Sequence, residues 1–298
     1  MQHVGAVSPV SWRASLAAYI NLMKPHVTVL LLGTTLAAMV VAAGGFPQWE
    51  LVLATLIGGA MAAGSANAIN CYWDRDIDQI MARTQKRTLP SRRLPETHAL
   101  IFGLSLGAGS FLILYRFVNL LSAGLALSAI LFYVLIYTMW LKRTTPQNIV
   151  IGGAAGAVPV LVGWAAVTGG VGLAAVWMFL IIFLWTPPHF WALSLILKKD
   201  YERAQVPMLP VVLGERETHR QIVLYTLLLL AASLVLFATR TMGYLYLIAA
   251  AAFGLGLLVL AIRLLALRTL RAARTMFWFS NYYLALLFAA MVVDRVLR

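Results

Sequence analysis

Apolar residues in this chain gather into long runs, each separated from the next by short charged or Gly/Pro-containing breaks. Read between those breaks, the runs predict nine helices at 19–43, 51–73, 98–116, 120–141, 147–167, 172–197, 219–239, 244–265 and 276–294. Most are near the roughly 20 apolar residues that a bilayer-crossing helix requires. The narrowest separation is the stretch from Arg116 to Asn119, between the third and fourth runs. The expected fold class is all-α, a polytopic transmembrane bundle of nine helices, taken as one integral membrane domain over 1–298.

Composition agrees with that pattern. Of 298 residues, 62% are hydrophobic and 11% charged, against roughly 25% charged in an ordinary soluble domain. The net charge of +13 would suit nucleic acid if it formed one surface. Instead the basic residues sit in short loops between apolar runs, so the expected partner is the lipid bilayer and no nucleic acid. All but four of the 23 basic residues (Arg116, Arg240, Arg295 and Arg298) fall on the side that holds the N-terminus. The positive-inside rule then places the N-terminus in the cytoplasm and the C-terminus outside. The polar start, with Arg13 and Lys24 before the first run, shows neither a cleavable signal nor a transit-peptide pattern, so a bacterial plasma membrane is expected. The single cysteine, Cys71, excludes an internal disulfide framework and a Cys-rich metal site.

Acidic residues are more telling because they contribute little to topology. All of them except Glu50 and Asp294 fall on the cytoplasmic side. One group is Asp74, Asp76, Asp78 and Glu96, and the other is Asp200, Glu202, Glu215 and Glu217. They follow the second and sixth spans, four helices apart. That offset predicts two pseudo-repeated four-helix halves whose loops form two lips of one site.

In the first group, Asn70, Asp74 and Asp78 are spaced i, i+4, i+8, with Asn67 in the same arc. If the second helix continues through them, they line one face. Like charges at that spacing repel unless a cation lies between them. An all-oxygen set of this kind suits Mg²⁺, which takes one or two carboxylates together with substrate phosphates. Arg75, Arg83, Lys86, Arg87, Arg92 and Arg93 supply donors suited to a diphosphate. Alone, that basic stretch would be an ordinary inside loop.

The sixth span ends in Pro187-Pro188-His189, followed by Phe190 and Trp191 and then by Lys198-Lys199-Asp200. Eleven residues separate His189 from Asp200, which places them on nearly the same face. A histidine inside a span ordinarily faces the interior of the bundle or a cavity and serves function; the structural alternative is a ring whose nitrogens are satisfied by a neighbouring hydroxyl or carbonyl. The two prolines are expected to interrupt the helix and free carbonyls at that depth. Trp185, Phe190 and Trp191 ordinarily pack helices together.

Three segments together carry a family resemblance: NCYWDRDIDQIMARTQKRTLP from Asn70, LKRTTPQNIVIGGAAGAVPVLVGW from Leu141, and PPHFWALSLILKKDYERAQVPMLPV from Pro187. They resemble the protoheme IX farnesyltransferases (haem O synthases) of the intramembrane aromatic prenyltransferase (UbiA) superfamily, along the whole chain. The resemblance implies nine helices around a central cavity, Mg²⁺ as cofactor, and farnesyl diphosphate and protoheme IX as substrates. By match to the motifs, Asn70, Asp74, Asp78 and Asp200 would be the catalytic, metal-holding set. Arg75, Arg83, Lys86, Arg87, Lys198 and Lys199 would meet the diphosphate, and His189 with Trp191 would be on the haem side, the histidine as an iron ligand, as a contact that positions the macrocycle, or as the group that manages the water. A downstream haem-modifying membrane enzyme is the implied protein partner. One departure stands out: many superfamily members carry a second D-x-x-x-D, and here Asp200 is followed at that spacing by Ala204.

The implied chemistry is transfer of farnesyl to a haem vinyl group, with water supplying the hydroxyl. Prenylation of a quinone precursor or another aromatic acceptor is the rival within the enzyme class. A transporter would be expected to carry charge in the middle of its spans, and these acidic residues cluster at helix ends. A non-catalytic haem scaffold would have no use for diphosphate-type loops.

Overall fold

The computed structural model describes residues 12–298, so the first residues of the expected 1–298 domain, and much of the polar N-terminal segment, lie outside them. Among the described residues, nine helices are long and apolar enough to cross a membrane. They are α1 (Pro25–Ala43), α2 (Trp49–Trp73), α3 (Glu96–Phe117), α4 (Leu120–Thr144), α5 (Asn148–Thr168), α6 (Leu173–Ile196), α7 (Gly214–Ala238), α8 (Tyr244–Leu267) and α9 (Leu270–Val296). Large apolar side chains such as Ile101, Leu112, Leu135, Val259 and Ile262 point outward. Such a girdle is stable only against lipid.

Helices α2–α5 form one closed group of four neighbours and α6–α9 another. The groups meet where α5 packs on α6, and α1 bridges them, touching α2 and α5 in one and α9 in the other. The four-helix offset between the acidic loops is therefore a real repeat of architecture, with α1 as the odd element.

Close approach between α2 and α3 depends on absent side chains. A Cβ on Gly103 would lie 2.7 Å from Ile69 Cγ1, and Ser110 donates its hydroxyl to the Gly58 carbonyl at 2.7 Å. Small residues and interhelical hydrogen bonds are what holds helices together where lipid removes the hydrophobic drive.

The first span begins later than its apolar run suggested. A separate helix, Trp12–Leu22, precedes it. Lys24 then takes a left-handed conformation at φ 51° before Pro25 opens α1. Proline disfavours the right-handed helical region for the residue before it, so the chain breaks there. The expected interruption at Pro187-Pro188 does not occur, because α6 runs unbroken from Leu173 to Ile196 with both prolines inside it. The missing N–H groups leave the carbonyls of Phe183 and Leu184 without helical partners. Neighbouring helices support the segment instead, since Trp185, Thr186, Pro187 and Pro188 are all buried.

Candidate active site

The acidic stripe is assembled where α2 gives way to a short helix, Arg75–Ile80. Unlike the expected continuous helix, the chain turns at Asp74, whose ψ is 6°. The hydrogen-bond ladder nevertheless continues, from Asp74 N to Asn70 O at 2.9 Å and from Asp78 N to Asp74 O at 2.8 Å. Asn70, Asp74 and Asp78 therefore stay stacked and buried, with Asp74 0% and Asp78 2% exposed. Asn70 Nδ2 donates to Asp74 Oδ2 at 2.6 Å and to Thr138 Oγ1 at 3.2 Å. Asn67 is drawn elsewhere, donating to the Met23 carbonyl.

Each buried carboxylate meets a cation. Arg87 Nη1 reaches both oxygens of Asp78, at 2.9 and 2.8 Å. Lys142 forms an ion pair with Asp74, and Arg143 lies 3.7 Å from Asp74 Oδ1 while gripping Asp76 through two nitrogens. That grip holds the exposed Asp76 carboxyl down to about 2. Lys24 donates to Asn70 Oδ1 at 2.9 Å. Burial lowers its proton affinity, against the opposing pull of Cys71, Asp78 and Asp74.

Sequence reasoning counted Lys24, Lys142 and Arg143 only as topological charges and passed over Thr138. The signal was weak. Lys24 turns inward because of the left-handed break before Pro25. Thr138 lies in a π-helical stretch, Phe132–Leu141, that ends at Lys142. The wider π turn resets the facing of every side chain that follows it, and such stretches recur at functional sites.

The second loop is brought against the first by an apolar seam. Ile77 and Met81 of the first loop pack with Tyr201, Ala204, Val206 and Met208 of the second. Ala204, the departure from the second D-x-x-x-D, is buried in this seam, where a carboxylate would be desolvated. The backbone N–H of Arg83 donates to Asp200 Oδ2 at 3.4 Å, which ties the loops together beside the stripe. Arg83, Lys86 and Lys199 are exposed.

Two of the expected diphosphate ligands are engaged away from the stripe. Arg75 pairs with Glu96 at 2.7 Å and covers the Tyr72 ring. Lys198 pairs with Glu215 at 3.0 Å, a contact that raises its proton affinity.

His189 and Trp191 also part company. Two residues apart on a helix, they point to opposite sides. Trp191 is buried in the core against Tyr225, with ring centroids 5.2 Å apart. His189 lies between Trp185, at 4.3 Å, and Phe277, at 4.8 Å, both nearly parallel to it. Its Nδ1 is 2.8 Å from Ser280 Oγ.

The stripe fits a hard divalent cation. Asp74 Oδ1 is buried and accepts no hydrogen bond, a costly state for a carboxylate oxygen unless an ion reaches it. Among the described residues, no three His, Cys, Asp or Glu side chains come together to enclose a metal. Two carboxylates and an amide thus form an incomplete set, suited to an ion that arrives with phosphate oxygens.

Comparisons with known proteins agree with this geometry. Residues 31–287 match the UbiA prenyltransferase family. The chain is 54% identical over 284 residues to "Protoheme IX farnesyltransferase" of Gloeobacter violaceus, covering 95% of this chain and 93% of the relative. It is 56% identical over 279 residues to the protein of the same name from Symbiobacterium thermophilum, covering 93% of each. Among solved structures, a digeranylgeranylglyceryl phosphate synthase superposes with a TM-score of 0.79 at 19% identity, over 95% of this chain and 99% of that one. A UbiA homolog from Archaeoglobus fulgidus bound to DMAPP and Mg²⁺ superposes at 0.68 with 15% identity, over 92% and 99%. These structures share the fold. This chain is a multi-pass membrane protein that belongs to the UbiA prenyltransferase family, in its protoheme IX farnesyltransferase group.

Proposed function

We propose that the chain transfers a farnesyl group from farnesyl diphosphate to a vinyl group of protoheme IX, giving haem O and diphosphate. The acceptor reading draws on relatives more than half identical along nearly the whole chain that bear that name. One observation carries the transfer reading: the buried Asn70–Asp74–Asp78 stripe is surrounded by Lys24, Arg87, Lys142 and Arg143. No packing role explains so much buried charge.

Asn70, Asp74 and Asp78 would hold Mg²⁺, with Asp200 facing them from the second loop. An ion held there would supply neutralisation of the charge that develops on the leaving diphosphate. The same exchange would free Lys142 and Arg87 from their carboxylates for the diphosphate oxygens, with Lys24 beside them. Arg83, Lys86 and Lys199 line the exposed mouth. The C1–O bond of farnesyl diphosphate breaks and its electron pair leaves with the diphosphate. The terminal vinyl carbon of haem supplies the pair for the new carbon–carbon bond. Water then adds to the other vinyl carbon and loses a proton, which leaves the hydroxyl of haem O. Apolar helix walls keep bulk water from the allylic cation until the vinyl group reaches it.

The site would face the cytoplasm, an orientation that the distribution of Lys and Arg supports, in a bacterial plasma membrane, with haem O passed to a haem-modifying enzyme in the same bilayer. Purified protein with Mg²⁺, farnesyl diphosphate and protohaem should form a product with the mass of haem O, and chelation should stop it. Prenylation of a 4-hydroxybenzoate-type acceptor with no reaction on haem would overturn the acceptor reading. The absence of any prenyl transfer would overturn both.

A further inference from the structure

We propose that Ser280 fixes His189 as the Nδ1–H tautomer, so that Nε2 presents its lone pair as an axial ligand to the iron of the protohaem substrate. The inference rests on the haem acceptor proposed above.

The argument is a count of protons. Ser280 Oγ lies 2.8 Å from His189 Nδ1 and donates to the Phe277 carbonyl at 2.7 Å. A serine hydroxyl has one hydrogen. Given to Phe277, it leaves Oγ as an acceptor, and Nδ1 must carry the proton of the other bond. The reverse arrangement, with the hydroxyl donating to Nδ1, forfeits the bond to Phe277. It also puts a hydrogen on Nε2, which has no acceptor among the described residues. The first arrangement makes both hydrogen bonds, whereas the second makes one and strands a donor.

The ring is also held in place. Two nearly parallel rings within 5 Å cannot share a face, so Trp185 and Phe277 cover opposite faces of His189. Trp185 is itself anchored, donating Nε1 to the Ser280 carbonyl at 2.7 Å. Phe190 stands nearly perpendicular to the imidazole at 5.4 Å, and Nε2 is the ring nitrogen left without a hydrogen bond among the described residues. His189 keeps 7% of its surface open, and with Nδ1 engaged by Ser280, Nε2 is the nitrogen left for a ligand.

A neutral imidazole whose second nitrogen donates a hydrogen bond is the arrangement that metal-bound histidines use. A prenyl diphosphate has no use for such a lone pair, whereas ferric or ferrous iron does. Ligation at this depth in α6 would set the iron inside the bundle, below the charged lips, with a vinyl edge of the macrocycle directed toward the farnesyl C1 held there.

The test uses the full chain, purified and titrated with ferric protohaem. Wild type should show the absorption and EPR signature of a nitrogen-ligated haem. His189→Ala should lose it, and added imidazole should restore it. Ser280→Ala keeps the ligand but removes its acceptor. It should weaken haem binding about tenfold and lower the iron–histidine stretching frequency of the ferrous form, with farnesyl diphosphate binding unchanged as the check of folding. Ser280→Thr, which keeps the hydroxyl, should return both. If wild type farnesylates protohaem with no nitrogen on the iron, the inference is wrong and the proposed function stands. If wild type makes no haem product, the functional reading fails first. A Ser280→Ala protein with wild-type affinity and wild-type spectrum would remove Ser280 from any positioning role.

Discussion

Asp74 is the residue on which most of the site converges. It is buried, accepts from Asn70 and pairs with Lys142, and its other oxygen, 3.7 Å from Arg143, accepts no hydrogen bond. Replacing Asp74 or Asp78 with alanine should lower haem O formation by about 10²-fold or more, the scale of losing one strong electrostatic stabiliser. Rates within a few-fold of wild type in both variants would mean that the carboxylates only balance neighbouring lysine and arginine. Lys24 adds a pH dependence. Burial lowers its proton affinity below the ordinary 10.5, so in the free protein the ammonium loses its proton at a lower pH than an exposed lysine would. The alkaline limb of kcat/KM for farnesyl diphosphate should therefore fall below that pH, since kcat/KM reports the free enzyme. Lys24→Arg, which stays charged, should move the limb upward. A limb that ignores the substitution would assign it to another group.

Elements position these side chains through two breaks and one seam. The break before Pro25 turns Lys24 inward, and the π stretch of α4 precedes Lys142, which meets Asp74. The seam between the two loops leaves Ala204 buried beside Ile77 and Met81. Ala204→Asp would restore the superfamily's second acidic pattern in writing but bury a carboxylate among apolar groups. Its cost should be about 2 kcal/mol or more, read as a lower melting temperature in detergent together with reduced turnover. An Ala204→Asp protein as stable as wild type, with higher activity at low Mg²⁺, would mean that the position opens to the metal after all. Gly103→Val tests the α2–α3 contact in the same way. Its side chain meets Ile69, and overpacking of this kind costs about 1–3 kcal/mol, so α2 and the stripe it carries should shift together.

The whole molecule has two distinct ends. The α2–α3 and α6–α7 connections pack on each other at one. At the other, Asp294 near the C-terminus accepts from the backbone N–H of Gly243 in the α7–α8 connection, at 2.6 Å. If each of the nine apolar helices among the described residues crosses once, the helix Trp12–Leu22 and the C-terminus are expected on opposite sides. Accessibility labelling at Arg83, Lys142, Arg203 and Arg271 should report the cytoplasm, and a reporter fused after Arg298 should report the far side. A cytoplasmic reading for that fusion would contradict nine spans.

Much of this was legible in the sequence because a bilayer imposes a crude requirement. Length and apolarity suffice to mark a span, so the nine helices and the four-helix offset could be read from the order of runs and charges alone. The acidic stripe was legible for a similar reason, since i, i+4 spacing is local geometry. Other features depended on which surfaces meet. Arg75 and Lys198 have the right charge in the right loops, yet Glu96 and Glu215 lie within reach of them. The two prolines of α6 look like a break until packing on both sides supports the helix through them. Trp191 sits beside His189 in the chain and faces the opposite way in the bundle. Ser280 lies 91 positions from the histidine it holds, and only the packing of α9 against α6 brings its hydroxyl to that ring. Helix formation and membrane crossing follow from local composition. The partner of each buried polar atom follows from contacts between helices distant in the chain, and those the tertiary structure alone decides.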